Sequence, residues 1–404
     1  MIFVDINGNI GDQLFQYATA RSLSIDKNTD FLMDLSYYEE NNSEKFQLNH
    51  FNINIEKQID KKEIEKYSNV KTINERIPSE NYVEYIKLNV PNENVYLKGK
   101  WENEKYFLHN IHYIKNDLKI ITPPKDKYEK IINEINLKND VCVSVMRNET
   151  MNSYSIAQEG ICTENYYQNS MNLISHKIKN PTFIILTDDK KWVEKYINTN
   201  FSTKIIEFDD LKESFERLQL MTCYENFIIG NDNISWWGAW LSQNKNKTVF
   251  APTPWFNSFT KQNVLCPDWI HIKSDRSDLF NNSSTTIFEL ENEKALSKIK
   301  CEDIETDIGH YGFKINISKS PTNMAFLLDN SVDEELIIEL KLFSLKKGVI
   351  IIDYGEENNI ALGYKKGHSI RYLHLFKISL SNLNLKFNDD TLSIENITIK
   401  KIIK

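Results

Sequence analysis

Ile2-Phe3-Val4-Asp5-Ile6-Asn7-Gly8-Asn9-Ile10-Gly11-Asp12-Gln13-Leu14-Phe15-Gln16-Tyr17-Ala18, running on to Phe31-Leu32-Met33-Asp34, is the stretch that decides the fold. Ile2 to Ile6 reads as a buried first strand. A glycine turn follows. From Gln13 to Ser24 apolar residues, Leu14, Tyr17 and Ala18 among them, recur at helical spacing. Phe31 to Asp34 reads as a second strand. Strand, glycine loop, helix, strand is the start of a parallel α/β layer.

Outward from this opening, residues 40–130 are polar and rich in Asn and Lys, with short helical patches. A second α/β unit begins near residue 140. Strands are expected at Val141–Met146, Phe183–Leu186, Lys204–Phe208, Phe227–Ile229 and Val249–Ala251. Helices are expected at Glu164–Ile174, Trp192–Ile197, Ser214–Cys223 and Asn233–Leu241. Such alternation predicts a second doubly wound domain. After about residue 275 the pattern changes. Asn281 to Thr286 reads as a polar linker and Glu289 to Ile299 as a charged helical piece. Short alternating runs follow, at Phe313–Ile317, Leu336–Leu342, Val349–Tyr354, Ile370–Ile378, Leu383–Phe387 and Leu392–Ile399, and suggest a β-sandwich. The domains expected are therefore 1–138, 139–275 and a β-rich 285–404.

Composition narrows the function. A chain of 404 residues with a net charge of −8 lacks the basic surface of a nucleic-acid binder. Its five cysteines, Cys142, Cys162, Cys223, Cys266 and Cys301, form no Cys-x-x-Cys pair. Neither a disulfide framework nor a zinc cluster is expected, and the compartment reads as reducing. No run approaches the roughly 18 apolar residues of a membrane span, and Met1 to Asp5 does not resemble a signal peptide. The chain reads as cytoplasmic and complete from its first strand. A lipid-linked acceptor would require it to visit the inner face of the plasma membrane.

Two loops carry candidate chemistry. In Gly8-Asn9-Ile10-Gly11-Asp12-Gln13, glycines allow close backbone approach to a ligand and the helix start offers N–H groups to an anion. A turn that simply needs glycines explains the same pattern. Asn231 and Ser235, at a strand-to-helix junction, sit where open α/β sheets bind ligands, while Trp236 and Trp237 fit either a core or a site.

Gly8 to Leu23 resembles the opening of the bacterial α-1,2-fucosyltransferases, glycosyltransferase family 11, which reads Gly-Gly-Leu-Gly-Asn-Gln-Leu-Phe-Gln-Tyr-Ala. Asn9 stands in place of a glycine and Asp12 in place of the asparagine. Ile228 to Leu241, with Ser235-Trp236-Trp237-Gly238-Ala239-Trp240, is similar to a second family stretch, as is Val249 to Phe256. Leu186-Thr187-Asp188-Asp189 and Glu159 to Tyr167 resemble two more, so the likeness covers residues 1–272. At Val143 to Glu149 the family carries His-x-Arg-Arg-Gly-Asp. Here Ser144 takes the histidine position, Met146 the first arginine, Arg147 keeps the second and Glu149 falls on the aspartate.

The resemblance implies a GT-B fold, two Rossmann-like domains facing across a cleft, and inverting transfer of L-fucose from GDP-fucose to a galactose hydroxyl of a surface glycan. Another GDP-sugar, another acceptor position, or a catalytically inactive glycan-binding protein are the alternatives. No Asp-x-Asp pair occurs in the chain, and no cofactor or metal is expected. Fixed donors would then meet the leaving diphosphate: Arg147, whose fork suits phosphate, and the helix starts after Gly11 and near Ser235. Asp12 is the first candidate for the base and Glu149 the second, with a dipole-favoured helix carboxylate as the alternative for Asp12. Asp188 or Asp189 could read guanine, or Asp189 could cap the next helix. The catalytic candidates are thus Asp12, Arg147 and Glu149. The donor-binding candidates are Gly8, Gly11, Gln13, Ser144, Asp188, Asp189, Asn231, Asn233, Ser235 and Trp236. In the C-terminal region, Tyr354, Tyr364, Tyr372 and His374 either form a sugar-stacking face or cover a β core, and the region could also serve oligomerisation.

Overall fold

A computed structural model describes residues 1–40, 44–75, 82–83, 85, 88, 94–147, 160–209, 213–244, 246–256, 261–262, 264–274, 284–290, 293–309, 312–318, 321–327, 334–346, 348–353, 359–364, 366–378 and 383–402. The first sheet is wholly parallel. Its strands lie in the order Gln58–Ile59, Phe31–Asp34, Ile2–Asp5, Asn94–Lys98, Val70–Asn74. Val4, at the centre, stands in register with Met33 on one side and Leu97 on the other. The chain lays strands outward on one side of Ile2–Asp5 and then crosses to the other. The gap between the ends of Ile2–Asp5 and Asn94–Lys98 is the switch point where open sheets hold ligands.

The second sheet is also parallel, in the order Ser202–Glu207, Thr182–Thr187, Asp140–Val145, Asn226–Ile228, Thr248–Thr253, Ile270–Lys273. Counted along the chain this is 3-2-1-4-5-6, the order of a doubly wound dinucleotide-binding sheet. Its switch point lies between the ends of Asp140–Val145 and Asn226–Ile228. Continuous apolar runs such as Val141-Cys142-Val143 and Phe183 to Leu186 are buried, as a sheet covered on both faces requires.

Two helices bring the sheets together. The opening helix, Ile10–Asp26, begins after Asn9, whose side chain caps the N–H groups of Gly11 and Asp12. The helix Asn233–Leu241 carries three tryptophans, all buried. Phe15 on the first meets Trp236 and Trp237 on the second at centroid distances of 4.7 and 4.9 Å, and Phe107 stacks on Trp237 at 5.4 Å. One apolar cluster therefore runs from Val4 and Leu97 through these rings to Phe227 and Val249.

The described residues between 284 and 402 form two antiparallel sheets that share a separate core, built on Leu336, Ile338, Leu340, Ile350, Leu385 and Ile399 among others. Two expectations are corrected here. Residues 284–286 open the strand Ser284–Glu289 instead of a linker, because they pair with Lys400 to Ile402. The expected helix at Glu289–Ile299 shrinks to Glu293–Leu296, since Glu289 ends one strand and Ile299 starts another. Tyr364 is turned into the core, with its hydroxyl donating to Asp389 at 2.7 Å, so it offers no stacking face. Tyr372 donates to Glu339 at 2.7 Å. Tyr354 and the side chain of His374 lie outside the described residues.

Candidate active site

The two switch points face each other, and Asn233 joins them. At the first, Gly8 adopts φ +73°, a conformation that suits glycine, and an added Cβ would lie 2.4 Å from Asp12 Oδ2. Gln16 brackets the two strand ends by exchanging hydrogen bonds with Asn7 and donating to the Gly99 carbonyl at 3.3 Å. Asp12, in the first helical turn, is buried, and its Oδ1 accepts from Asn233 Nδ2 at 2.7 Å with Lys100 Nζ at 3.6 Å. The same Asn233 Nδ2 donates to Glu102 Oε1 at 2.6 Å. Burial pushes the Glu102 carboxyl up to about 8; Asp12 adds to the rise and Lys100 opposes it. Glu75 is also raised by burial, and its Oε2 accepts from the backbone N–H of Lys100 and Trp101 at 2.7 and 2.9 Å.

The second switch point carries two arginines among aspartates. Arg147 follows its central strand. The backbone N–H of Arg147 donates to Asp188 Oδ1 at 2.7 Å and its Nη1 to the Cys162 carbonyl at 2.8 Å. Its guanidinium lies over the Trp192 ring, 4.1 Å from the centroid. Arg217, on the helix Ser214–Met221, is buried beneath the neighbouring strand end. It pairs with Asp232 at 3.0 Å and reaches Ser144 Oγ at 3.5 Å. Ser144 Oγ also accepts from Ser235 Oγ at 2.7 Å. Two cations, Arg147 and Arg217, thus stand near the end of the strand Asp140–Val145.

Several predicted residues have partners within the chain. Gln13 donates to the Gly8 and Lys45 carbonyls and accepts from Gln47 N, which holds the neighbouring loops. Gly11 lacks a side chain because a Cβ would meet Asn233 Cβ at 2.6 Å. Trp236 is fully buried and donates to the Val264 carbonyl, so it belongs to the core. Ser144 and Ser235 are buried against each other. Asn231 ties loops together through Gly160, Trp255 and Cys162. Asp189 caps the helix Lys190–Tyr196 through Trp192 N at 2.8 Å, while Asp188 does not. The N–H groups of Gly11 and Asp12 are taken by Asn9, and that of Ser235 by Asp232. The helix starts expected to meet a diphosphate are therefore capped from within the chain at these groups. Glu149 lies outside the described residues. Glu102 and Arg217 were not anticipated from sequence. Among the described residues no group of three or more His, Cys, Asp or Glu side chains could hold a metal ion.

Two wholly parallel sheets, one in the doubly wound dinucleotide-binding order, linked through Asn233 place the chain among the α/β proteins built on paired Rossmann-like sheets. The model of glycosyl transferase family 11 matches residues 1–273, so the chain belongs to that family and is a glycosyltransferase. It is similar to an α-1,2-colitosyltransferase of Escherichia coli, with 29% identity over 293 residues covering 68% of this chain and 99% of the relative. It is also similar to the O-antigen biosynthesis glycosyltransferase WbnK of Escherichia coli, with 24% identity over 300 residues, 66% of this chain and 99% of the relative. Among solved structures, the α-1,6-fucosyltransferase NodZ co-crystallised with GDP aligns at a TM-score of 0.37 and 11% identity, covering 59% of this chain and 92% of that one, too distant to argue from.

Proposed function

We propose that the protein is an inverting, GT-B-type transferase that moves L-fucose from GDP-fucose to a galactose hydroxyl, forming an α-1,2 linkage on a surface glycan. The observation that carries this reading is the pair of arginines, Arg147 and Arg217, at the ligand end of a dinucleotide-order sheet within a family 11 chain. The acceptor oxygen attacks the anomeric carbon while the bond from that carbon to the β-phosphate oxygen breaks, and GDP leaves. Arg147 meets the diphosphate with a planar fork. The ion pair and hydrogen bond of Arg217 hold the floor beneath it. No metal takes part, in this reading. Asp12, on the facing side, takes the acceptor proton, with Glu149 as the second choice. Asp188, whose neighbour Asp189 is the cap, is the candidate for reading guanine. The enzyme works in the cytoplasm against the inner face of the plasma membrane; among the described residues no helix is long and apolar enough to cross a membrane.

Transfer of a different deoxy sugar is the second reading. It is favoured by Ser144 and Met146 at the altered arginine motif and by the name of the colitosyl relative. The test is incubation with GDP-fucose, GDP-colitose and GDP-mannose, each with lactose as acceptor, and determination of the linkage by NMR. Fucosyl transfer to the galactose 2-hydroxyl supports the first reading. Transfer from GDP-colitose alone supports the second.

A further inference from the structure

We propose that Glu102 is a positioning residue for Asp12, acting through the side-chain amide of Asn233. This rests on the reading of Asp12 as the base. The amide nitrogen of Asn233 carries two hydrogens, and the geometry uses both, one on Asp12 Oδ1 at 2.7 Å and one on Glu102 Oε1 at 2.6 Å. With both engaged, the amide cannot rotate without breaking a bond. Glu102 therefore fixes the plane of Asn233, and Asn233 fixes Asp12. Oδ1 is held by the amide and faced by Lys100, while Oδ2 lies in the space that Gly8 leaves by having no Cβ.

The loop that delivers Glu102 is built for this placement. Trp101, the residue before it, sits at φ +59°, which bulky side chains rarely adopt. Two features hold it there. Glu75 accepts from the N–H groups of both Lys100 and Trp101, and the indole is buried against Tyr106 at a centroid distance of 5.4 Å. A backbone outlier so secured beside a carboxylate at the junction of two sheets points to function.

The groups facing Glu102 are Asp12 from the opening helix, Asn233 from the tryptophan helix, and Lys100 and Glu75 from its own side. Two buried carboxylates sharing one amide do not both ionise readily. Burial, and then the charge of Asp12, hold the Glu102 proton up to about pH 8, against the pull of Lys100. Below that pH, Glu102 presents Asn233 with a neutral acceptor. Above it, a second negative charge appears beside Asp12 and drives the two apart.

The experiment measures kcat and donor KM against pH for the full chain and for Glu102→Gln, Glu102→Leu, Asn233→Ala and Asp12→Asn. The wild type is expected to lose kcat through about pH 8. Glu102→Gln, which keeps an acceptor oxygen but cannot ionise, should lack that decline. Glu102→Leu should lower kcat by about 10- to 100-fold with donor KM nearly unmoved, and Gln should recover most of that loss. Asn233→Ala should match Glu102→Leu, and combining the two should cost nothing further. Asn233→Ala decides the matter if the leucine variant does not fold. Persistence of the decline in Glu102→Gln, or equal kcat in the Leu and Gln variants, would overturn the proposal. So would full kcat in Asn233→Ala. An inactive Asp12→Asn with these outcomes sinks the role of Glu102 alone. An active Asp12→Asn sinks the base assignment, and the role of Glu102 with it.

Discussion

Gly11 and Asn233 belong to helices that start beside different sheets, yet a Cβ on Gly11 would stand 2.6 Å from Asn233 Cβ and 2.8 Å from its carbonyl carbon. Gly11→Ala should therefore destabilise the protein by about 1–3 kcal/mol, because backbone cannot yield as a side chain can. The helix-propensity gain of alanine, roughly 1 kcal/mol, opposes this but is the smaller effect. Thermal unfolding checks it, and an unchanged or raised Tm would show that the helices can part.

Arg147 places its guanidinium over the Trp192 ring, 4.1 Å from the centroid, and donates from Nη1 to the Cys162 carbonyl. Lysine can supply the charge but neither the plane nor the fork. Both Arg147→Lys and Arg147→Ala are expected to lower kcat/KM for the donor by about tenfold or more, the scale of one lost charge-assisted hydrogen bond. A lysine variant with wild-type kinetics would remove Arg147 from the diphosphate site.

Arg217 is buried against Asp232, whose side chain keeps 18% exposure. Arg217→Met leaves that carboxylate without its cation and should cost about 3 kcal/mol, the lower end for a broken buried pair. Adding Asp232→Asn should recover part of the loss. Denaturant unfolding of the three variants provides the measurement, and the absence of any recovery would mean that packing, not charge, is the main cost.

Asp389 is buried at one end of the C-terminal core. Burial alone would raise its pKa, but hydrogen bonds from Tyr364, Thr391 and Ser344 outweigh burial and hold it down to about 2. A depressed carboxyl contributes stability that is complete above its unfolded value, near 4, and that fades as pH falls through 2. Unfolding of the C-terminal sheets should shift to lower temperature between pH 4 and pH 2, and Asp389→Asn should flatten that dependence. A variant with the same slope as the wild type would assign the acid sensitivity elsewhere.

Transfer activity should survive dialysis against EDTA undiminished, because arginines are proposed to meet the diphosphate. Loss on chelation, restored by magnesium or manganese, would end the metal-independent reading.

The parallel sheet openings were legible because Ile2 to Asp34 and Val141 to Leu186 are apolar runs separated by a helical period. The strand Asn94–Lys98 was not, though it lies beside the central strand of the first sheet. Only Val95, Tyr96 and Leu97 mark it in a polar surround, too short a run for periodicity to register. Arg147 and Asp12 stood out as candidates because each stands in a recognisable loop. Glu102 did not, since Lys100-Trp101-Glu102-Asn103-Glu104-Lys105 reads as a solvated charged stretch, and its hydrogen-bond partner Asn233 lies 131 residues away. Arg217 lies in a helix pattern where an arginine would normally face water. Trp236, expected at the donor site, packs against Phe15 and donates to the Val264 carbonyl, a core placement that a paired tryptophan motif does not reveal.

The aromatic seam of Phe15, Phe107, Trp236 and Trp237 has a practical consequence for anyone grafting a foreign half onto this enzyme. A chimera that replaces only the second sheet and its helices would leave Phe15 and Phe107 against a foreign helix in place of Trp236 and Trp237, and mismatched rings there would leave cavities or clashes at the centre of the molecule. A successful exchange would have to transplant the opening helix and the Phe107 turn along with the sheet.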